Sequence, residues 1–492
     1  MEESSTTPAI KRWAVLLGLG VVVFVLGVKL GLIHHYGTDQ PYLDQWAAEG
    51  VGFLQAPLHG GLNWASFFWP HGEHRPAITR LITRGLIVAN GGQWDCYVEI
   101  VFNLSLYAAL LVVAWRFTLK VARGGWLLVM APFMAVLFAA PCACENLLWG
   151  FQSQFIFLLF CGLLHIYGTS RSMRIDGGWW LAQIAGFCGL FSIAAGGMSA
   201  ALLVFWAIVE ILRGRRDAWV WSTFFVSIVL LAYSLWLLPN GVISTGHRWD
   251  HLRQVGIGTS DLLSWPMRDA RWWILLQAPC IITFALWCRR PAGSEFDGKP
   301  ALIGLWVVLV TFAMAYGRVI SPDTIGVRYF DVLLMGIFAN GLSLVAMLMR
   351  SKDRLAWFWR TLGLGWLLTV SVGFWSFNKP SFSGAMLRQQ RIYALEQKQV
   401  VREFIASDNV AVMNEFENRT HLFPHFQLTL GLLRDKQVQP LLPPSLSTIA
   451  NVGPLSRLAP VLSGSWRLWI AAGLLLLVGG AWACWKDCRN WD

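Results

Sequence analysis

An all-α protein that crosses a membrane about twelve times is the fold class this sequence predicts, and three observations predict it. Of its 492 residues 56% are hydrophobic and 14% charged, with 29 Trp and a mean hydropathy of +0.51, which excludes a water-soluble fold of ordinary composition. Apolar runs of spanning length recur at about 13–33, 97–117, 125–140, 151–168, 179–195, 198–212, 218–238, 271–288, 300–316, 329–349, 356–377 and 466–485. Basic residues gather at every second connection: Lys11 and Arg12, Lys120 and Arg123, Arg171 and Arg174, Arg213 to Arg216, Arg289 to Lys299, Arg350 to Arg354, and Lys486 with Arg489. The positive-inside rule places these loops and both termini in the cytoplasm. The net charge of +11 is therefore topological, and nucleic acid is not an expected partner.

Taken in order, the first run lacks a small-residue cleavage site and reads as a retained span. The connection 34–96 is the first long polar interruption. Within it, Pro76 opens PAITRLITRGLIVA, which places Ile78, Leu81, Ile82 and Leu86 on one helical face with Arg80 and Arg84 on another. About fourteen residues cannot span a bilayer, so this helix is expected along the interface. The fifth and sixth runs are short and meet at Ala195-Gly196-Gly197. The segment 378–465 opens as a helix in GAMLRQQRIYALEQKQVVREFIAS and turns in QPLLPPSL, and it reads as a small cap over the outer mouth. The organisation is thus a membrane module at 1–377, the cap at 378–465, and a last span with a cytoplasmic tail at 466–492. Nine scattered Cys give neither a disulfide framework nor a zinc pattern.

The polar motifs fall in the outward connections or one turn below them. YGTDQPYLDQW supplies Asp39, for which solvation is the plain reading, and Asp44, which sits among aromatics and reads as a general base. FWPHGEHRP has three readings: a divalent metal site from His71, Glu73 and His74, an anion clamp centred on Arg75 at a helix start, or a salt-bridged turn. CENLLWGFQSQF places Glu145 and Asn146 at the surface with Gln152 and Gln154 below them, either as a helix cap or as the lining of a wet pocket. YGRVISPDTIGVRYF carries Arg318 and Arg328 around a short loop, suited to a phosphate or to the lipid belt. Apart from residues near their ends, such as Lys29, Glu99, Glu210 and Asp331, the spans carry essentially no ionisable group, which points to a site near the outer surface rather than the midplane.

PYLDQW followed by HGEHRPAITRL, ENLLWGFQ and GR…RY resembles the motif order of bacterial integral-membrane glycosyltransferases of the GT-C superfamily, over roughly residues 13–345. The resemblance implies a GT-C-like fold in the bacterial inner membrane with a periplasmic active site. It also implies a polyprenyl-phosphate-linked sugar as donor and a cell-envelope glycan or lipid as acceptor. Asp44 matches the first-loop acid, Glu145 the second-loop place, and Arg318 with Arg328 the late arginine pair. Gln45 stands where a second acid is common, and Gly72 where Asn is common. The expected roles are catalysis by Asp44, Glu145 and His74, donor-phosphate binding by Arg75, Arg318 and Arg328, and substrate contact by Asp39, Glu73, Asn146, Gln152 and Tyr329. No cofactor is firmly expected, and a divalent cation stays open. A lipid-linked-glycan flippase, a surface-polysaccharide polymerase or ligase, and a noncatalytic assembly scaffold are the rival expectations.

Overall fold

The structure is a computed structural model, and it describes residues 11–239, 248–267, 269–289, 298–317, 326–349, 354–377, 383–447 and 452–489. The architecture is all-helical. The first half contains α1 (Arg12–Tyr36), α2 (Ala77–Ala89), α3 (Cys96–Val121), α4 (Trp126–Ala139), α5 (Ser153–Ser170), α6 (Gly177–Gly189), α7 (Met198–Leu212) and α8 (Ala218–Trp236). It continues with α9 (Arg248–Leu263), α10 (Trp273–Cys288), α11 (Lys299–Gly317), α12 (Phe330–Leu348) and α13 (Arg354–Phe377). The chain closes with α14 (Ser383–Ser407), α15 (Val410–Thr420), α16 (Phe426–Arg434), α17 (Pro454–Gly464) and α18 (Trp466–Arg489).

Among the described residues ten helices are long and apolar enough to cross a membrane, so the chain is an all-α multi-pass membrane protein. Two of the twelve apolar runs fall outside that set. The run at 179–195 holds only the 13 residues of α6, and at about 1.5 Å per residue these reach about two thirds of the way through a hydrocarbon layer. The run at 356–377 is α13, long enough at 24 residues but carrying Arg354 and Arg360 in its first two turns. Aspartates start several helices: Asp95, Asp176 and Asp217 each accept a backbone N–H of the first turn of α3, α6 and α8.

α1 and α18 run antiparallel along each other. Gly27 lets the backbones close, since a Cβ there would stand 2.6 Å from the Ile470 amide nitrogen, and Gly473 does the same toward Phe24 at 2.4 Å. At the far end Lys11 Nζ meets Asp487 at 2.6 Å and Trp13 Nε1 donates to it at 3.1 Å. The two described ends of the chain therefore lie on the same side of the bundle.

The cap does not stand alone. Its Phe404, Phe416, Phe423, Leu430 and Leu433 share one apolar core with Trp46, Leu54, Ile87 and Trp94 of the first loop, apart from the main bundle core. Polar ties complete the joint: Gln55 Nε2 and His59 Nε2 both reach Asp435 Oδ2, at 2.9 and 2.6 Å. First loop and cap are one folded unit on the bundle.

α2 is a helix as expected, but its polar face is the buried one. Thr79, Arg80 and Thr83 point inward while Leu81 and Val88 are exposed. That orientation suits a helix lying in an interface, whose apolar face meets lipid.

Candidate active site

The first loop turns sharply to present its acid. Leu43 adopts φ +49, a left-handed conformation uncommon for a branched side chain, and the chain then enters a π-helical stretch, Trp46–Gln55. Asp44 and Gln45 sit at that entrance. The side chain of Gln45 closes the turn by accepting the Tyr42 amide N–H at 3.1 Å.

The HGEH motif is a tight hairpin. His71 and His74 exchange backbone hydrogen bonds of 2.8 and 3.0 Å, and Gly72 takes φ +55 between them. The two imidazoles serve different neighbours. His71 Nε2 stands 3.4 Å from Asp44 Oδ2 and its ring edge meets Phe151. His74 Nε2 stands 3.4 Å from Glu73 Oε1, and its Nδ1 accepts the Ala194 amide N–H at 3.1 Å. The three groups weighed as a metal site are thereby divided, His71 toward Asp44 and His74 toward Glu73, and among the described residues no set of three or more His, Cys, Asp or Glu could hold an ion.

Asp44 faces cationic groups. The hydrogen bond from His71 holds its carboxyl below the usual aspartate range, with His425 of the cap and Arg328 acting in the same direction against burial. Arg328 Nε in turn stands 3.9 Å from Glu145 Oε2, too far for a hydrogen bond, and among the described residues neither buried atom has another partner. Asn146 Nδ2 fixes the arginine from behind by donating to the Arg328 carbonyl at 2.7 Å and to Asp331 Oδ2 at 2.9 Å. Tyr42 closes one side, edge-on to Trp149, and burial with the charge of Glu145 pushes its phenol up to about 12. Gln152 and Gln154 are buried, each with its side-chain oxygen unpartnered among the described residues. The result is a cluster of an acid with a histidine and of a second acid opposite an arginine, joined by the charge of Arg328 acting on Asp44.

Behind the hairpin lies a cavity of about 350 Å³ with a different lining. Its walls are Ile193, Met198, Leu235, Leu238, Phe312 and Met314, and its polar rim is Glu73, His74 and Tyr329. Tyr329 follows Arg328 in the chain, and the guanidinium lies 5.9 Å from its ring centre. Gly317 also lines this cavity, and the expected Arg318 that follows it lies outside the described residues.

Two expected site residues are committed to holding the fold. Arg75 donates through Nε to the Leu237 carbonyl at 2.8 Å and through Nη1 to the Phe68 carbonyl at 2.9 Å. Asp39 accepts the Ser445 amide and hydroxyl, both at 2.8 Å, and so ties the first loop to the cap. Two of the ionisable residues expected near span ends, Lys29 and Asp331, lie beside each other. Lys29, about two turns from the end of α1, is buried over the Tyr107 ring, beside Asp331 and a void of about 10 Å³. Sequence reasoning missed Glu49, Glu99 and Arg80, all buried behind Asp44. The available signal was weak: a single acid in the small, apolar run WAAEGVGF.

No family model, curated protein or solved structure matches this chain.

Proposed function

We propose that this protein is a GT-C-like glycosyltransferase of about twelve spans. It moves a hexosyl or pentosyl group from a polyprenyl-phosphate donor to a hydroxyl of a cell-envelope glycan or lipid, at the periplasmic face of a bacterial inner membrane. The observation that carries the reading is that one hairpin joins a polar cluster to an apolar cavity. The Asp44–His71 and Glu145–Arg328 pairs offer acid–base and anion-binding groups, and the apolar cavity beyond His74 offers room for a hydrocarbon chain. A lipid-linked polar substrate needs both surfaces side by side.

In this reading Asp44, ionised at neutral pH, takes the proton of the acceptor hydroxyl as its oxygen attacks the anomeric carbon, and His71 steadies the carboxyl. The anomeric carbon–phosphate bond breaks, and its electron pair leaves on the lipid phosphate, whose charge Arg328 meets. Direct attack inverts the anomeric centre. Glu145 orients Arg328, and Asn146 holds both the arginine backbone and Asp331.

The test is transfer from labelled polyprenyl-phosphate sugar by the purified protein in lipid nanodiscs, with Asp44→Asn and Arg328→Ala beside it. Both variants are expected to lose at least a hundredfold in rate. Full transfer by both sinks the assignment. The observation on the side of a lipid-linked-glycan transporter is the buried Lys29 and Asp331, but the void between them admits a water and not a sugar.

A further inference from the structure

Behind Asp44 the first loop buries two carboxyls that the proposed transfer does not use. Glu49 lies in the π-helical stretch and Glu99 one turn into α3, at 0% and 4% exposure. Gln45 Nε2 donates to Glu49 Oε2 at 2.7 Å and to Glu99 Oε2 at 3.0 Å, one hydrogen for each. Thr83 Oγ1 donates to the other Glu49 oxygen at 3.0 Å, and Trp94 Nε1 to the other Glu99 oxygen at 3.1 Å. Both Oε2 atoms thus converge on one amide nitrogen inside the fold, and each carboxyl acts on the other. Two carboxylates held this close repel, and one proton between them removes the repulsion.

The surroundings leave the pair little freedom. Gly150 is packed so closely that a Cβ there would stand 2.2 Å from Glu99 Oε2. Charged and titratable neighbours are His71 from the hairpin, Arg80 from α2, and Asp95 and Cys96 at the start of α3. α16 meets this region with the apolar Leu432. Arg80 spends its Nη1 on the carbonyls of Ser66, Phe67 and Trp69. The Arg80 charge acts on Glu49, so two full negative charges in this space would be compensated only in part.

Gln45 is the link to the chemistry. Its amide can be oriented one way: nitrogen toward the two acceptors, oxygen toward the Tyr42 N–H. That orientation clasps the turn that carries strained Leu43 and Asp44. We propose that Glu49 and Glu99 share a single proton and act through Gln45 as positioning residues for Asp44. Burial pushes the Glu49 carboxyl up from its ordinary range, in keeping with one proton between the two. It also explains why position 45 is an amide here, since a third carboxylate would have no donor to offer the pair.

The positioning role rests on the glycosyltransferase reading, while the shared proton does not. Infrared spectra of the wild-type protein in nanodiscs at neutral pH should show, besides that of Asp95, a protonated-carboxyl stretch that Glu99→Gln removes. No such band in the wild type overturns the proposal without any variant having to fold. In transfer assays Glu49→Gln should lower kcat at least tenfold with donor KM changed less than twofold. Glu99→Gln, which mimics the protonated member and has no proton to lose, should abolish the fall in kcat above neutral pH. Wild-type pH profiles in both variants, or a loss carried by KM, overturn the positioning role. A wild type with no transfer at all removes the enzyme reading, and the infrared band then decides the pair alone.

Discussion

Asp95 is a helix cap whose charge the fold holds at a cost, and replacing it by Asn measures that cost. Its Oδ1 accepts the backbone N–H of Tyr97 at 2.8 Å and of Val98 at 3.4 Å, yet the residue is only 6% exposed. Burial pushes the carboxyl up to about 7 from 3.8, with the nearby charge of Asp39 acting in the same direction. The folded state therefore binds this proton more tightly than the unfolded chain, and stability falls as pH rises from about 4 to about 7. About three pKa units correspond to about 4 kcal/mol, fully felt above pH 7 and absent below about 4. Asn caps a helix about as well as Asp, so Asp95→Asn keeps the hydrogen bonds and removes the charge. It also forfeits about 0.3–1 kcal/mol of favourable interaction with the helix dipole. The net expectation at pH 8 is a variant about 3 kcal/mol more stable than the wild type, with a flatter pH dependence. Unfolding in detergent from pH 4 to 8, followed by Trp fluorescence, reads both quantities. A variant that tracks the wild-type slope, or melts earlier at pH 8, refutes the reasoning.

Three further outcomes follow from the same geometry. Gly150→Ala should cost about 2–4 kcal/mol, because its Cβ overlaps Glu99 and overpacking adds to disturbed buried hydrogen bonds; a melting series against Gly85→Ala, where a Cβ meets nothing within 4 Å, checks it. Arg80→Leu strands the carbonyls of Ser66, Phe67 and Trp69, and about 1–3 kcal/mol of local stability should go with them, seen as faster proteolytic cleavage between 59 and 75. His71→Asn removes the bond that holds Asp44 below its usual range, so the acid limb of the transfer rate should move to higher pH, and an unmoved limb would dissociate His71 from Asp44.

The spans were legible because a bilayer demands about twenty apolar residues in a row, a rule one sequence can satisfy visibly. The two runs that fall short show its limits: α6 ends at Gly189 after 13 residues, and α13 carries Arg354 and Arg360. In the first loop the helix α2 and its two faces could be read from periodicity, but not which face would be covered. Arg80 is buried because the carbonyls of residues 66, 67 and 69 happen to converge beneath it, a tertiary fact with no period. Asp44, Glu145, Asn146 and Arg328, which lie near one another in the structure, could be singled out from residue type and place in the connections. Glu49 and Glu99 were not, since their meaning arises from facing each other across 50 residues of chain, with Gln45 between.

The hairpin at 71–74 explains how one small motif can govern two environments. Backbone pairing fixes His71 and His74 opposite each other, and Gly72 supplies the left-handed step that so short a turn requires. With Arg75 anchored on Leu237 of the bundle, the hairpin cannot swivel, and each imidazole is left to a different wall. One meets the ionised Asp44, while the other sits at the rim of an apolar cavity and is held by the Ala194 amide where α7 begins. A substrate with a charged head and a hydrocarbon tail would thus have its junction at this turn. Lengthening the turn by one residue should uncouple head from tail, lowering transfer from a long-chain polyprenyl donor far more than from a short-chain analogue. Equal losses on the two donors would show that the cavity behind His74 does not receive the chain.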